Sequence, residues 1–147
     1  TTIRQAGSQE AFRRVDLEIP YEAAQRASGG GATQMLLVSS AGASEQSTFF
    51  YSRVKGEAER RVMEVGFETV QILRPTLLTG ERDETRVGER VAETVLRLAN
   101  PLLRGPLAAL RLTPAADVGR ALEVLAARRP RGIHVHEAAA IRAWARA

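Results

Sequence analysis

The sequence predicts an α/β protein built on a parallel sheet. Helical and extended patterns alternate along the chain, and the extended segments are short, nearly continuous apolar runs, as in strands covered on both faces. Strand–helix–strand–helix order is typical of a parallel sheet flanked by helices. We therefore expect about three parallel strands within a single domain of 147 residues.

The first segment is predicted to be helical. Ser8 is a suitable N-cap for a helix over residues 10–27. Pro20 is expected to kink or restart this helix, because proline removes a backbone donor. The three glycines at 29–31 end it.

The residues that follow predict a strand–helix–strand unit. The run 35–38 is expected to be a strand buried on both faces, with a Ser/Gly exit at 39–42. A helix over 47–65 follows, and Gly66 is a plausible C-cap. The second strand covers 70–73 and ends at a proline, which cannot donate to a strand ladder.

The second half repeats the alternation less clearly. The residues between 101 and 113 have no clear assignment. The other predicted elements are a loop at 79–84, a helix at 86–98, a helix from Thr113-Pro114 to about residue 127 with proline in its first turn, a strand at 133–136 and a helix at 137–146.

Composition excludes several classes of function. The chain has no cysteine, which rules out disulfides and thiolate sites within it. No stretch is apolar enough to span a membrane, and a cytosolic location is the default expectation. The net charge of +4 permits nucleic-acid binding, but the arginines are mixed with acids and aromatics make up 5%. Nucleic acid is therefore an improbable partner. His134 and His136 share a strand face without a third ligand, so no metal site is expected.

Tyr51 and Lys55 are the most informative pair of residues. Lys55 is the only lysine, every other basic side chain being arginine or histidine, and it stands four residues after Tyr51. Four residues make one helical turn, so both side chains lie on one helix face. An ammonium beside a phenol stabilises the phenolate, which is a way to make an acid/base group that works near neutral pH.

Polar residues also follow the first two predicted strands. Ser39 and Ser40 follow the first strand, and Arg74, Pro75 and Thr76 follow the second. Ligands of parallel α/β sheets bind at the carboxyl ends of the strands. The sequence therefore predicts a site at this edge of the sheet, near the helix that carries the Tyr/Lys pair.

This pattern resembles the short-chain dehydrogenase/reductase superfamily, in particular the atypical, epimerase-like subgroup around the Tat-interacting oxidoreductase. The set Ser39, Tyr51 and Lys55 has the order and context of the superfamily's catalytic residues. The likeness spans nearly the whole chain. The segments that carry it are 1–2, 12–16, 37–43, 49–57, 73–78 and 116–122.

The resemblance implies a role for each matching position. Tyr51 would transfer a proton to or from the substrate oxygen, with Lys55 lowering the cost of the phenolate and holding the nicotinamide ribose. Ser39 would hydrogen-bond the substrate carbonyl, with Ser40 as the alternative if the strand ends one residue later. The positions expected to bind NAD or NADP are Thr1, Thr2, Ser40, Tyr51, Lys55, Arg74, Pro75 and Thr76.

One family feature is absent from the sequence. Members begin with a strand and a GxxGxxG turn that binds the pyrophosphate, and nothing in these 147 residues matches it. The resemblance therefore implies the C-terminal part of a Rossmann-type doubly wound sheet, beginning just after its fourth strand. The strand at 35–38 would then have an open edge, expected to pair with the missing N-terminal half or a second copy.

The sequence thus favours an NAD(P)-dependent oxidoreductase acting on the carbonyl or alcohol group of a small molecule. The alternative is an NAD(P)-binding regulatory or interaction protein without turnover, because a fold alone does not fix activity. A basic nucleic-acid-binding domain is a minor third possibility.

Overall fold

A three-stranded parallel sheet with helices on both faces organises the chain, which confirms the predicted fold class. The computed structural model describes residues 3–79 and 112–147. The strands at 34–38, 69–74 and 132–137 are neighbours in that order. The helices and strands are α1 (Ile3–Ala6), α2 (Gln9–Arg13), a π-helical turn (Arg14–Glu18), α3 (Ile19–Gly29), β1 (Gln34–Val38), α4 (Phe50–Met63), β2 (Thr69–Arg74), β3 (Leu78–Thr79), β4 (Thr113–Pro114), α5 (Ala115–Ala127), β5 (Gly132–Glu137) and α6 (Ala138–Trp144).

The first helical segment, residues 9–29, begins where the sequence predicted, although the short helix α1 that precedes it was not predicted. The Ser8 hydroxyl accepts a hydrogen bond from the backbone N–H of Ala11 at 3.0 Å, which is the geometry of an N-cap. The expected interruption near Pro20 takes the form of the π-helical turn, after which an α-helix resumes at Ile19. Proline then lies in the first turn of α3, where its fixed φ angle fits.

The core lies on both faces of β2. Val70 and Ile72 pack on one face with residues of α3 and α4, whereas Leu73 packs on the other with Leu125 and Ile141 of α5 and α6. Every residue of β2 except Arg74 is buried. Strand β2 is therefore the central, doubly covered strand of the described sheet.

The prediction that the first strand is buried on both faces is wrong. Gln34 to Leu37 are only half-buried and Val38 is 37% exposed, because β1 lies at the edge of the described sheet. It pairs with β2 alone among the strands that the structure describes. This open side is the geometry that the expected additional partner requires, and the partner itself remains a prediction.

The second half departs from the sequence prediction in one detail. Pro114 lies just before α5 as its N-cap residue rather than within the first turn, because Thr113 and Pro114 form β4 beside β3. The strand β5 and helix α6 lie where predicted. The predicted helix at 86–98, and the predicted loop beyond Thr79, fall outside the described residues.

Trp144 packs against the α5–α6 core and takes part in a chain of polar contacts. Its indole N–H donates to Nδ1 of His136 at 3.2 Å, and Nε2 of His136 lies 2.7 Å from Oε1 of Gln71. Indole nitrogen only donates, so Nδ1 must be the acceptor and Nε2 must carry the proton. Burial lowers the pKa of His136, and the neighbouring charge of His134 adds to the effect. The neutral ring is therefore the native form.

Acid should weaken this chain. The folded-state pKa lies below the unfolded value of about 6.5, so stability is complete above that value and falls as the pH drops toward the folded pKa. We expect a loss of about 1 kcal/mol in the free energy of unfolding, because protonated His136 can no longer accept from Trp144. The fluorescence of the single tryptophan should change over the same pH range. Denaturant titrations between pH 7 and 5 would measure the loss. His136→Gln should remove the change and His134→Gln should retain it; the opposite ranking contradicts the assignment.

Helix α4 lies directly against the loop that follows β1. A Cβ atom added at Gly56 would lie 2.4 Å from the carbonyl carbon of Ser44, closer than real atoms approach. The backbone N–H of Ser44 also donates to the carbonyl oxygen of Ser52 at 3.0 Å. Only glycine permits this contact, which fixes the distance between the loop and the first turns of α4.

Gly56→Ala should therefore force the helix and the loop apart. We expect a loss of about 1–3 kcal/mol in the free energy of unfolding, as for overpacked cores. Gly119→Ala is the matched control, because it also lies in a helix but has no atom within 4 Å of an added Cβ. It should stabilise by roughly 0.5–1 kcal/mol. Equal effects of the two substitutions in chemical denaturation would contradict the close approach.

Candidate functional site

Three chain segments meet at the carboxyl edge of the sheet. The backbone N–H of Ser39 donates to the carbonyl of Leu73, and that of Ala41 donates to the carbonyl of Pro75, both at 2.8 Å. The hydroxyls of Thr76 and Thr113 lie 2.8 Å apart. The exit of β1, the exit of β2 and the entrance to α5 are therefore neighbours. The parallel topology predicted that the two strand exits meet, but the entrance to α5 was not anticipated there.

Ser39 presents a buried hydroxyl at this edge. The residue is 6% exposed, and its Oγ has no hydrogen-bond partner among the described residues. Ser40 is half-buried, and its Oγ lies 3.5 Å from the carbonyl of Ala41. A buried hydroxyl without a partner costs free energy, so Ser39 is the better candidate to bind an oxygen of an incoming molecule.

Tyr51 and Lys55 lie on one side of α4. The Lys55 ammonium is 6.0 Å from the centroid of the Tyr51 ring. The tyrosine ring is half-buried and packs on Phe12, with 5.5 Å between the ring centroids. Helix α4 starts at Phe50, so Tyr51 lies in its first turn, immediately after the loop from β1.

Sequence reasoning missed the residue that binds the lysine. Lys55 Nζ lies 2.5 Å from Oδ1 of Asp16, and the two side chains are 14% and 5% exposed. Asp16 was part of the segment that carries the family resemblance, but no role was inferred for it. The available signal was its four-residue spacing from Phe12, the same spacing that separates Tyr51 from Lys55.

The side chain of Arg74 has a different partner from the one implied. It makes an ion pair with Glu59 at 2.6 Å and another with Glu137 at 3.2 Å. Hydrogen bonding to Glu59 is the main cause that raises the pKa of Arg74 above its ordinary value, against the effect of burial. The Arg74 side chain therefore ties α4 and β5 to the end of β2. Any contribution to a ligand from this position falls to its backbone.

Pro75 and Thr76 have structural partners of their own. The carbonyl of Pro75 accepts from Ala41, and Thr76 hydrogen-bonds to the fully buried Thr113 through both its N–H and its hydroxyl. Thr113 was not anticipated as part of this edge. Thr1 and Thr2, also expected to contact a cofactor, lie outside the described residues.

The predicted histidine pair also has protein partners. His134 Nε2 lies 3.2 Å from the carbonyl of Arg131, in addition to the contacts of His136 described above. No group of three potential metal ligands occurs within residues 3–79 and 112–147. Within the same ranges, no helix has the length and apolarity that a membrane span needs.

The parallel three-stranded sheet and the polar residues at its carboxyl edge identify an α/β protein that is consistent with a partial Rossmann-like fold. The chain is similar to FMP52-1 of Scheffersomyces stipitis, a mitochondrial protein by name, with 38% identity covering 81% of this chain and 48% of the relative. It is 42% identical to FMP52 of Candida albicans, also mitochondrial by name, and the match covers 65% of this chain and 42% of the relative. It is 41% identical to rat HTATIP2, and the match covers 63% of this chain and 38% of the relative.

The chain spans about half the length, or less, of the curated relatives that it matches. No family model matches it. FMP52 and HTATIP2 are members of the atypical short-chain dehydrogenase/reductase group, in agreement with the resemblance noted from the sequence. The finer assignment, to the C-terminal part of such a protein, remains a prediction.

The expectation of a cytosolic location is wrong. Relatives from several fungi are named mitochondrial proteins, which points to mitochondria rather than the cytosol. The cytosol was only the default expectation, because the absence of cysteine reports on disulfides rather than on the compartment.

The substitution Ser39→Ala tests whether the Ser39 hydroxyl contributes to the stability of the folded protein. Ser39→Ala should leave the free energy of unfolding unchanged or raise it by about 1 kcal/mol, because it removes a buried hydroxyl without a partner. Ser40→Ala is the control and should change it by less than about 0.5 kcal/mol. Denaturant titration of both variants checks this. A clear loss of stability in Ser39→Ala would mean that the hydroxyl is satisfied within the folded protein.

Proposed function

We propose that this chain carries the proton-transfer residues of an NAD(P)-dependent oxidoreductase that acts on a carbonyl or alcohol group. The observation that supports this most directly is the buried Ser39 hydroxyl at the carboxyl edge of the sheet. It lies on the loop that leads to Tyr51 and Lys55, which are one helical turn apart. The similarity to proteins of the atypical short-chain dehydrogenase/reductase group supports the same reading.

The residues present fit a nicotinamide nucleotide and a substrate oxygen. The Ser39 hydroxyl has no protein partner in the described structure and is free to donate to that oxygen. The Lys55 ammonium has three N–H groups, of which one points to Asp16. The others suit the vicinal hydroxyls of a ribose. Backbone groups of Pro75 and Thr76 complete the proposed cofactor-facing set.

Each residue then has a defined role in proton transfer. Tyr51 gives its hydroxyl proton to the oxygen of a carbonyl that is being reduced, or takes it back when an alcohol is oxidised. Lys55 keeps a positive charge near the phenolate that forms. Ser39 donates a hydrogen bond to the oxygen as negative charge develops on it. NAD or NADP, when bound, supplies or accepts the hydride.

Tyr51→Phe tests the assignment of the acid/base group. In assays of the purified protein with NADH or NADPH and a panel of carbonyl compounds, we expect turnover to fall by about 10²-fold or more. Cofactor binding should persist, because only one hydroxyl is removed. Tyr21→Phe is the matched control, since this other tyrosine lies on α3 and its hydroxyl bonds to Gln25. It should retain full activity.

Two results would contradict the proposed function or the role given to Tyr51. Unchanged turnover in Tyr51→Phe would show that another group transfers the proton. Tight cofactor binding by the unaltered protein, with no substrate consumed across the panel, would favour the regulatory alternative, in which the nucleotide controls the affinity for a partner protein.

A further inference from the structure

The buried carboxylate of Asp16 is the partner of the only lysine in the chain. Oδ1 of Asp16 and Nζ of Lys55 are 2.5 Å apart, and both side chains are largely removed from water. Burying a charge is costly unless an opposite charge accompanies it. Each of these groups therefore depends on the other for its place in the fold.

The ion pair belongs to a matched set of contacts between two helical segments. Phe12 packs on Tyr51, and Asp16 binds Lys55. Both contacts join residues four positions apart on one segment to residues four positions apart on the other. Leu17 and Val54 are fully buried in the same cluster as Phe12. The first helical segment thereby fixes the rotation of α4 about its axis.

Asp16 lies in the middle of the π-helical turn Arg14–Glu18. Single π-helical turns within α-helices occur frequently at functional sites, since they change the direction in which side chains leave the helix. Here the turn carries Asp16 and Leu17 as its buried residues. The turn therefore delivers a carboxylate to the interior on the side that faces Lys55.

We propose that Asp16 is a positioning residue that holds the Lys55 ammonium beside the Tyr51 ring. The inference rests on the proposed function, because it extends the proposed proton-transfer set by one member. Asp16 contacts neither the substrate nor the cofactor in this scheme. It uses one N–H of the ammonium and leaves two for the phenol oxygen and the ribose hydroxyls.

The single lysine makes this proposal testable without turnover. An N-hydroxysuccinimide ester modifies lysine and the amino terminus, and peptide mass mapping then gives the rate at Lys55 alone. Asp16→Asn keeps the side-chain shape but removes the charge that holds the ammonium in the helix interface, so the amine becomes accessible. We expect acylation of Lys55 to accelerate by about tenfold, because removing one partner of a buried ion pair destabilises the buried position of the other. An unchanged rate overturns the proposal.

Glu57→Gln is the matched control. Glu57 lies on α4 two positions beyond Lys55 and also pairs with the first helical segment, through Arg13. Its substitution should leave the acylation of Lys55 unchanged. An equal acceleration in both variants would show that general loosening of α4, rather than Asp16, exposes the amine.

A double variant keeps the proposal falsifiable if Asp16→Asn folds poorly. Asp16→Asn combined with Lys55→Met removes the stranded ammonium as well as its partner. It should melt several degrees higher than Asp16→Asn alone, because coupled sites are not additive. A double variant that melts no higher than the single variant overturns the pairing.

Kinetics then separates positioning from structural support. In the nicotinamide-nucleotide assay, Asp16→Asn should raise the KM for the cofactor by about tenfold, since a misplaced ammonium binds the ribose less well. A smaller folded fraction alone would lower the apparent kcat and leave this KM unchanged, which would overturn the positioning role. If the unaltered protein shows no turnover, the proposed function fails, while acylation and melting still decide whether Asp16 holds Lys55.

Discussion

The ion pair between Arg74 and Glu59 is the contact on which the arrangement of the site depends. Glu59 is 3% exposed, so its charge needs a partner inside the fold. Arg74 is the last residue of the central strand, and it supplies that partner while also reaching Glu137 at the end of β5. The carboxyl ends of two strands and the middle of α4 are therefore joined at a single guanidinium.

Helix α4 is held from two directions at intervals of one turn. Lys55 binds the first helical segment through Asp16, and Glu59 binds the sheet through Arg74. Between these residues, Gly56 lies against the backbone of Ser44, which sets the distance to the loop. The orientation of Tyr51 therefore follows from the contacts of the whole helix with the first helical segment, the loop and the sheet, as well as from its own contact with Phe12.

The fold class and most element positions follow from the sequence because they depend on local patterns. The cap at Ser8, the strand β5 and the one-turn spacing of Tyr51 and Lys55 are all readable within a few residues. The burial of β1 was misjudged although its open edge was expected, since a run of apolar residues does not reveal how completely a strand is covered. The partners of Arg74 and Lys55 were missed for a related reason. Those contacts join residues 15 and 39 positions apart, and spacing rules describe one element at a time.

The π-helical turn places a strict requirement on chain length. Such a turn amounts to one extra residue within an α-helix, and each residue advances an α-helix by about 100° and 1.5 Å. Deleting one residue between Phe12 and Asp16 would therefore restore a regular α-helix, but it would change the angle between these two side chains about the helix axis. Phe12 and Asp16 could then no longer contact Tyr51 and Lys55 at the same time, although no contacting side chain had changed. Among homologous chains, the number of residues between the aromatic and the carboxylate is thus a more telling marker of this helix pairing than the identity of the residues between them.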